Sequence, residues 1–215
     1  MTLPPYQTGC GCADICMHTM ERYFTGTDTM QLTDALSEAL LRTVIKNSRI
    51  LMEKPDSYSA RAEIMWAGSL SHNGLMGCGS DGGDWITHKL EHEISGMFDV
   101  AHGAGLTAIW GSWARYVCES CLPRFVQFAK NVLDIPDSGS SMQIALEGIA
   151  QMENFFRAIH MPTCFAELGI DPTQEEMVEM AHRCALVTGE PAGSIKKLAQ
   201  ADYLAIYQMA NSPHG

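Results

Sequence analysis

The sequence predicts an all-α fold, a compact domain of about eight to ten helices. Three observations carry that prediction. Apolar residues recur every three or four positions in one segment after another along the 215-residue chain. No segment alternates apolar and polar residues as a half-buried strand does. The gaps between periodic segments are short and carry Gly, Pro and Asp, as connections within one compact domain do.

In chain order, Ala13 to Phe24 has helical spacing, with Gly26 just past its end. Gln31 to Glu53 is a long amphipathic stretch whose Leu32, Leu36, Leu40, Val44 and Leu51 fall near one stripe, and Lys54-Pro55 ends it. Tyr58 to Met76 predicts a third helix, rich in small residues. Gly77 to Gly83 holds too many glycines for a helix and reads as a loop. The helical pattern resumes over Trp85 to Met97, with Asp84 placed to cap its start. Gly103 to Cys118, Leu122 to Leu133 and Ser141 to His160 follow. Thr173 to Val187 opens on Asp171-Pro172-Thr173 before three acidic or amide residues, a helix-start pattern, and Ser194 to Met209 completes the set.

Composition narrows the function classes. Apolar residues make up 46% of the chain and charged residues 18%, which excludes a disordered tail or a collagen. No run reaches the roughly 18 apolar residues of a membrane span. A net charge of −11 repels phosphate backbones, so nucleic acid is not an expected partner. The N-terminal residues show no signal-peptide pattern, and the cytoplasm is the expected location. Eight cysteines in a chain of this size read as reduced thiols, mostly buried. Cys118 and Cys121 have CxxC spacing without a second pair, and Cys10, Cys12 and Cys16 are also short of a four-thiolate zinc set.

The histidines are more informative. His88 and His92 are four apart and share a helix face, and His102 follows beyond a break. Asp14 and His18 form a second pair at the same spacing on the first helix. An Asp/His pair facing a His/His pair, with a third His nearby, can surround a divalent ion, zinc or ferrous iron. Spacing alone leaves open the plainer reading, in which these are hydrogen-bonded core histidines. It also leaves a rival motif: His88-Lys-Leu-Glu91-His92 fits the H-x-x-E-H pattern of an inverted zinc peptidase, with Glu91 as base and both histidines as ligands.

The segment Gly83-Asp-Trp-Ile-Thr-His88-Lys-Leu-Glu-His92-Glu-Ile-Ser-Gly-Met-Phe-Asp-Val-Ala-His102-Gly-Ala-Gly-Leu106 closely resembles the metal-binding core of the iron-containing (group III) alcohol dehydrogenases, nearest to their butanol dehydrogenase branch. Ala13 to Glu21 resembles the first half of that family's site, and Trp113 to Val117 is similar too. The resemblance runs through nearly the whole chain. It implies the family's C-terminal, dehydroquinate synthase-like α domain over residues 1–215, with residues 1–9 resembling the interdomain linker. Trp110-Gly111-Ser112 departs from the family's proline here, which bears on local helix geometry alone.

The resemblance further implies that Asp14 gives an oxygen and His18, His88 and His102 a nitrogen each to a divalent metal, Fe2+ or else Zn2+. It implies for His92 a proton-relay or positioning role beside substrate and nicotinamide. The implied reaction is alcohol–aldehyde interconversion with NAD(P), on a small alcohol or aldehyde. The family's dinucleotide-binding half is not visible in the sequence. The expectation is therefore metal binding with little or no turnover by this chain alone, NAD(P) binding only when that half is supplied, and self-association or association with a nucleotide-binding domain. A non-catalytic metal-binding helical domain, or a subunit completing a separately encoded nucleotide-binding domain, is the alternative.

Overall fold

The computed structural model describes residues 2–28 and 30–212. The outermost residues of the expected 1–215 domain therefore lie outside the description. Ten α-helices follow one another: α1 (Pro5–Tyr23), α2 (Gln31–Glu53), α3 (Tyr58–His72), α4 (Ile86–Phe98), α5 (His102–Val117), α6 (Leu122–Leu133), α7 (Ser141–Ala158), the single turn α8 (Phe165–Leu168), α9 (Gln174–Thr188) and α10 (Gln200–Ala210). Two 3-10 turns, Leu75–Gly77 and Cys118–Cys121, interrupt the series. The described residues form no strand, only an isolated bridge between Ala192 and Leu198. The fold is all-α, as the sequence predicts.

Helix α5 is the axis of the molecule. It is apolar on nearly every side, and such a helix must be surrounded. It packs against α1, α4, α7, α8 and α10. Trp110 and Trp113 in it are fully buried. Two of its glycines are sites of close approach. A Cβ on Gly103 would lie 2.3 Å from the Cys10 carbonyl oxygen of α1, and one on Gly105 would lie 2.5 Å from Glu91 Oε1 of α4. The absence of side chains there lets α1 and α4 press onto the start of α5.

A buried polar knot fixes the end of α1. The Arg124 guanidinium on α6 donates both Nη groups to Asp34 of α2 at 2.5 Å and its Nε to the Tyr23 carbonyl at 2.7 Å. Tyr23, Gln127 and Asn131 all donate to Glu38 Oε1 at 2.9 Å. A buried charge pair is tolerated when its remaining lone pairs are met in this way.

Several boundaries differ from the sequence reading. Helix α1 begins at Pro5, so part of the linker-like start is helical. Leu32 and Leu36 are exposed, because the first turns of α2 bury Asp34 and Glu38 instead. Helix α3 stops at His72, where Gly74 turns left-handed at φ +87°. Asp84 is not the cap of α4: Trp85 holds that position. Its carboxylate does accept Ile86 N–H at 3.3 Å, but its larger role is to accept Ser194 N–H at 2.8 Å and Ile195 N–H at 3.1 Å. Its own N–H donates to the Glu21 carbonyl at 2.8 Å. Asp84 thus ties the start of α4 to the end of α1 and to the loop before α10. That loop stays irregular until Gln200, six residues later than expected.

Candidate metal centre

The middle of α1, carrying Asp14 and His18, the first turns of α4 and the first residue of α5 converge. Asp14 Oδ1 lies 3.6 Å from His18 Nε2, 3.6 Å from His88 Nε2 and 3.6 Å from His102 Nε2. Each separation is too long for a hydrogen bond. The three Asp14 separations are close to the ligand–ligand spacing around an ion, about 3.4 Å when metal–ligand bonds are about 2.1 Å. Asp14 Oδ1 and His88 Nε2 are buried with no hydrogen-bond partner. Buried polar atoms left bare are costly, and an ion between them would satisfy both. Asp14, His18 and His88 offer atoms within 4.8 Å of one another. His102 joins through Asp14 and also groups with Glu91 and His92. An imidazole and carboxylate donor set suits Fe2+ or Zn2+. No cysteine joins either group among the described residues.

Carboxylates brace two of the rings from behind. His88 Nδ1 sits 2.5 Å from Glu21 Oε2, a charge contact rather than an aligned hydrogen bond. His88 N–H donates to Glu21 Oε1 at 2.9 Å. His102 Nδ1 meets Glu91 Oε2, and the Ser95 hydroxyl donates to Glu91 Oε1. Such outer carboxylates hold a ring so that its other nitrogen faces the ion. Behind His18, the Arg22 guanidinium donates to the His18 carbonyl at 2.8 Å and stacks on Trp85.

Electrostatics separate the rings. Burial lowers His18 to about 4, against the pull of Asp14. Burial also opposes charge on His88, but Asp14 and Glu21 override it and raise the ring to about 9. His102 is raised, chiefly by its bond to Glu91. Burial would raise Asp14, yet His88 and the neighbouring rings hold it below its usual range. The fully buried Glu21 is raised by desolvation.

Asp14 Oδ1 thus lies 3.6 Å from a ring nitrogen of each of the three histidines the resemblance names, and His18 and His88 group with it more closely than His102 does. His92, named for proton transfer, stands outside them. It is exposed, its ring centroid is 6.1 Å from that of His88 and 5.7 Å from that of His102, and burial lowers its pKa. The peptidase reading fails on geometry. Glu91 is fully buried with both oxygens engaged, so it cannot serve as a solvent-facing base, and His88 aims at Asp14. Glu21, Glu91 and His72 were not foreseen in their present positions. Glu21 and Glu91 follow His18 and His88 by three residues, but they brace His88 and His102 on neighbouring helices, so local spacing does not reveal their roles. His72 arrives from α3, and no spacing points to it. A separate hollow of about 490 Å³ is lined by Asp34, Glu38 and Arg124, but none of the imidazoles lines it. No helix among the described residues is long and apolar enough to cross a membrane.

The chain is similar to known proteins over nearly its whole length. The family model "Fe-containing alcohol dehydrogenase family, C-terminal" matches residues 8–211. The NADH-dependent butanol dehydrogenase A of Clostridium acetobutylicum is 38% identical over 208 residues, which is 96% of this chain and 53% of that protein. The NADPH-dependent aldehyde reductase YqhD of Escherichia coli is 31% identical over 170 residues, 79% of this chain and 43% of its own. The crystal structure of NADH-dependent butanol dehydrogenase A from Thermotoga maritima superposes with a TM-score of 0.91 at 31% identity, covering 98% of this chain and 54% of that one. The chain therefore spans about half the length of the relatives it matches. On a family match covering nearly its whole length, the chain belongs to the Fe-containing alcohol dehydrogenases, as their C-terminal helical part.

Proposed function

We propose that this chain is the metal-holding half of an NAD(P)-dependent alcohol dehydrogenase that interconverts small alcohols and aldehydes. One observation carries the reading: a buried, unpartnered Asp14 Oδ1 with three imidazole Nε2 atoms at 3.6 Å. Asp14, His18, His88 and His102 would hold the ion, iron by family and zinc by the same donor chemistry. A divalent ion bound there supplies Lewis-acid polarisation of an alcohol or aldehyde oxygen.

The chain's own residues do the rest. Glu21 and Glu91 keep His88 and His102 turned with Nε2 inward. Burial keeps His18 neutral at physiological pH, so the ring has one nitrogen lone pair to offer an ion. His92, exposed beside the centre and itself held toward the neutral form, can take a proton from the substrate hydroxyl and release it to solvent. The hydride partner, NAD(P), needs a nucleotide-binding domain, which comes with a full-length enzyme or a separate subunit. We place the protein in the cytoplasm, without a membrane partner, and its charge of −11 disfavours nucleic acid as a partner.

Elemental analysis of the purified chain tests the reading. About one iron or zinc per chain is expected, lost in Asp14→Ala with the helical circular dichroism unchanged. Equal metal content in the wild type and Asp14→Ala would overturn it.

A further inference from the structure

Asp14 has a second oxygen, and the structure gives it a partner. His72, the last residue of α3, brings Nε2 to 3.3 Å from Asp14 Oδ2. The ring is anchored at its other end, where Nδ1 lies 2.7 Å from Ser71 Oγ and 2.9 Å from the Gly68 carbonyl. Its face lies over His18, with centroids 3.9 Å apart at 37°. The ring is thus held from three directions even though its side chain is 43% exposed.

We propose that His72 is a positioning residue that fixes Asp14 for metal binding through Oδ1 alone. The inference rests on the metal-centre reading above. A free carboxylate can turn about its last torsion or chelate an ion with both oxygens. A donor on Oδ2 prevents both. With the Ser71 hydroxyl donating to Nδ1, the neutral ring carries its hydrogen on Nε2, donates it to Asp14 Oδ2 and has no lone pair there for the ion. His72 therefore acts through Asp14 and is not a fifth ligand. It completes a pattern in which Glu21 braces His88, Glu91 braces His102 and His72 braces Asp14. Single-oxygen ligation leaves a coordination position open for substrate oxygen.

The test is cobalt(II) titration of the full 215-residue chain, read by affinity and by the visible ligand-field band. His72→Phe keeps the ring's bulk and removes its N–H. It is expected to weaken cobalt roughly 10- to 100-fold and to change the band, as loss of an outer partner does. His72→Gln, with an amide N–H to offer Oδ2, is expected to restore most of the affinity and the original band. In the zinc-loaded wild type, nitrogen-15 NMR is expected to show His72 Nε2 protonated. An unchanged affinity and band in His72→Phe would overturn the proposal. So would an unprotonated, zinc-bound Nε2, which would make His72 a direct ligand. If the wild type and Asp14→Ala bind cobalt alike, the centre itself is wrong and this assignment falls with it, a result no His72 variant can mimic.

Discussion

His18 and His88 face the same carboxylate oxygen yet shift in opposite directions, and the difference has a pH signature. An unfolded histidine titrates near 6.5. His88 is raised to about 9 in the metal-free fold, so its proton stabilises the fold fully below 6.5 and that contribution is lost as pH rises toward 9. His18 is lowered to about 4, so below 6.5 the unfolded chain takes a proton that the folded ring refuses, and stability falls as pH drops toward 4. The melting temperature of chelator-treated protein should therefore peak near pH 6.5 and decline on both sides. A profile rising steadily to pH 9 would contradict the His88 assignment. A cation must displace the His88 proton, so cobalt affinity should climb between pH 6.5 and 9. Glu91→Gln should cost roughly 10- to 100-fold in the same affinity by releasing His102, and an unchanged titration would remove Glu91 from the site. The four converging residues were legible because two pairs at helical spacing and a family-like segment point to them. Their braces were less so. A glutamate three residues after a histidine is common on any helix, and His72 meets Asp14 only once α3 is folded across α1.

Helix α5 decides whether the centre assembles, because its first turn carries His102 and its glycines admit α1 and α4. Gly105→Ala would press a methyl group to 2.5 Å from Glu91 Oε1 and 2.9 Å from its Cγ, with no room to yield in a fully buried position. Overpacking of this kind costs about 1–3 kcal/mol. Urea unfolding should show that loss, and cobalt binding should weaken because Glu91 must move away from His102. Gly96→Ala on α4 is the contrast, since its added Cβ meets nothing within 4 Å. It should stabilise by roughly 0.5–1 kcal/mol through helix propensity alone. If the two variants behaved alike, the close approach at Gly105 would not matter. The same glycines explain where the element reading succeeded and where it did not. The bounds of α2 and α6 match the sequence prediction, since each is amphipathic and ends on a clear stop. The early part of α1 holds Gly9 and Gly11, which argue locally against a helix. Gly9 is there for contact: its Cβ would lie 2.7 Å from the Ile159 carbonyl, and tertiary packing overrides propensity. The one-turn α8 is too short to give a period at all.

At the scale of the whole molecule, apolar surface and the lack of strands among the described residues bear on what this chain binds. Tyr58, Met65 and Trp66 of α3 are exposed at 77%, 75% and 63%. Large exposed apolar groups on one helix favour association, so light scattering should show self-association that Trp66→Ser reduces. A clean monomer across concentrations would count against it. Nucleotide binding should go the other way. A dinucleotide pyrophosphate is held by backbone N–H groups at a glycine turn between a strand and a helix. The described residues contain no strand, and the glycine-rich stretch Gly77 to Gly83 does not offer the donors. Ser80 N–H donates to the Gly77 carbonyl, Gly82 N–H to Ser80 Oγ, Gly83 N–H to Asp81 Oδ1 and Asp84 N–H to the Glu21 carbonyl. The carboxylates of Asp81 and Asp84 add negative charge where a phosphate would have to sit. Calorimetry of NADH and NADPH against the 215-residue chain should therefore show no micromolar binding, while the same preparation binds cobalt. Micromolar binding of either nucleotide would mean that the helical part carries a phosphate site of its own, and that metal and nucleotide are not divided between two domains.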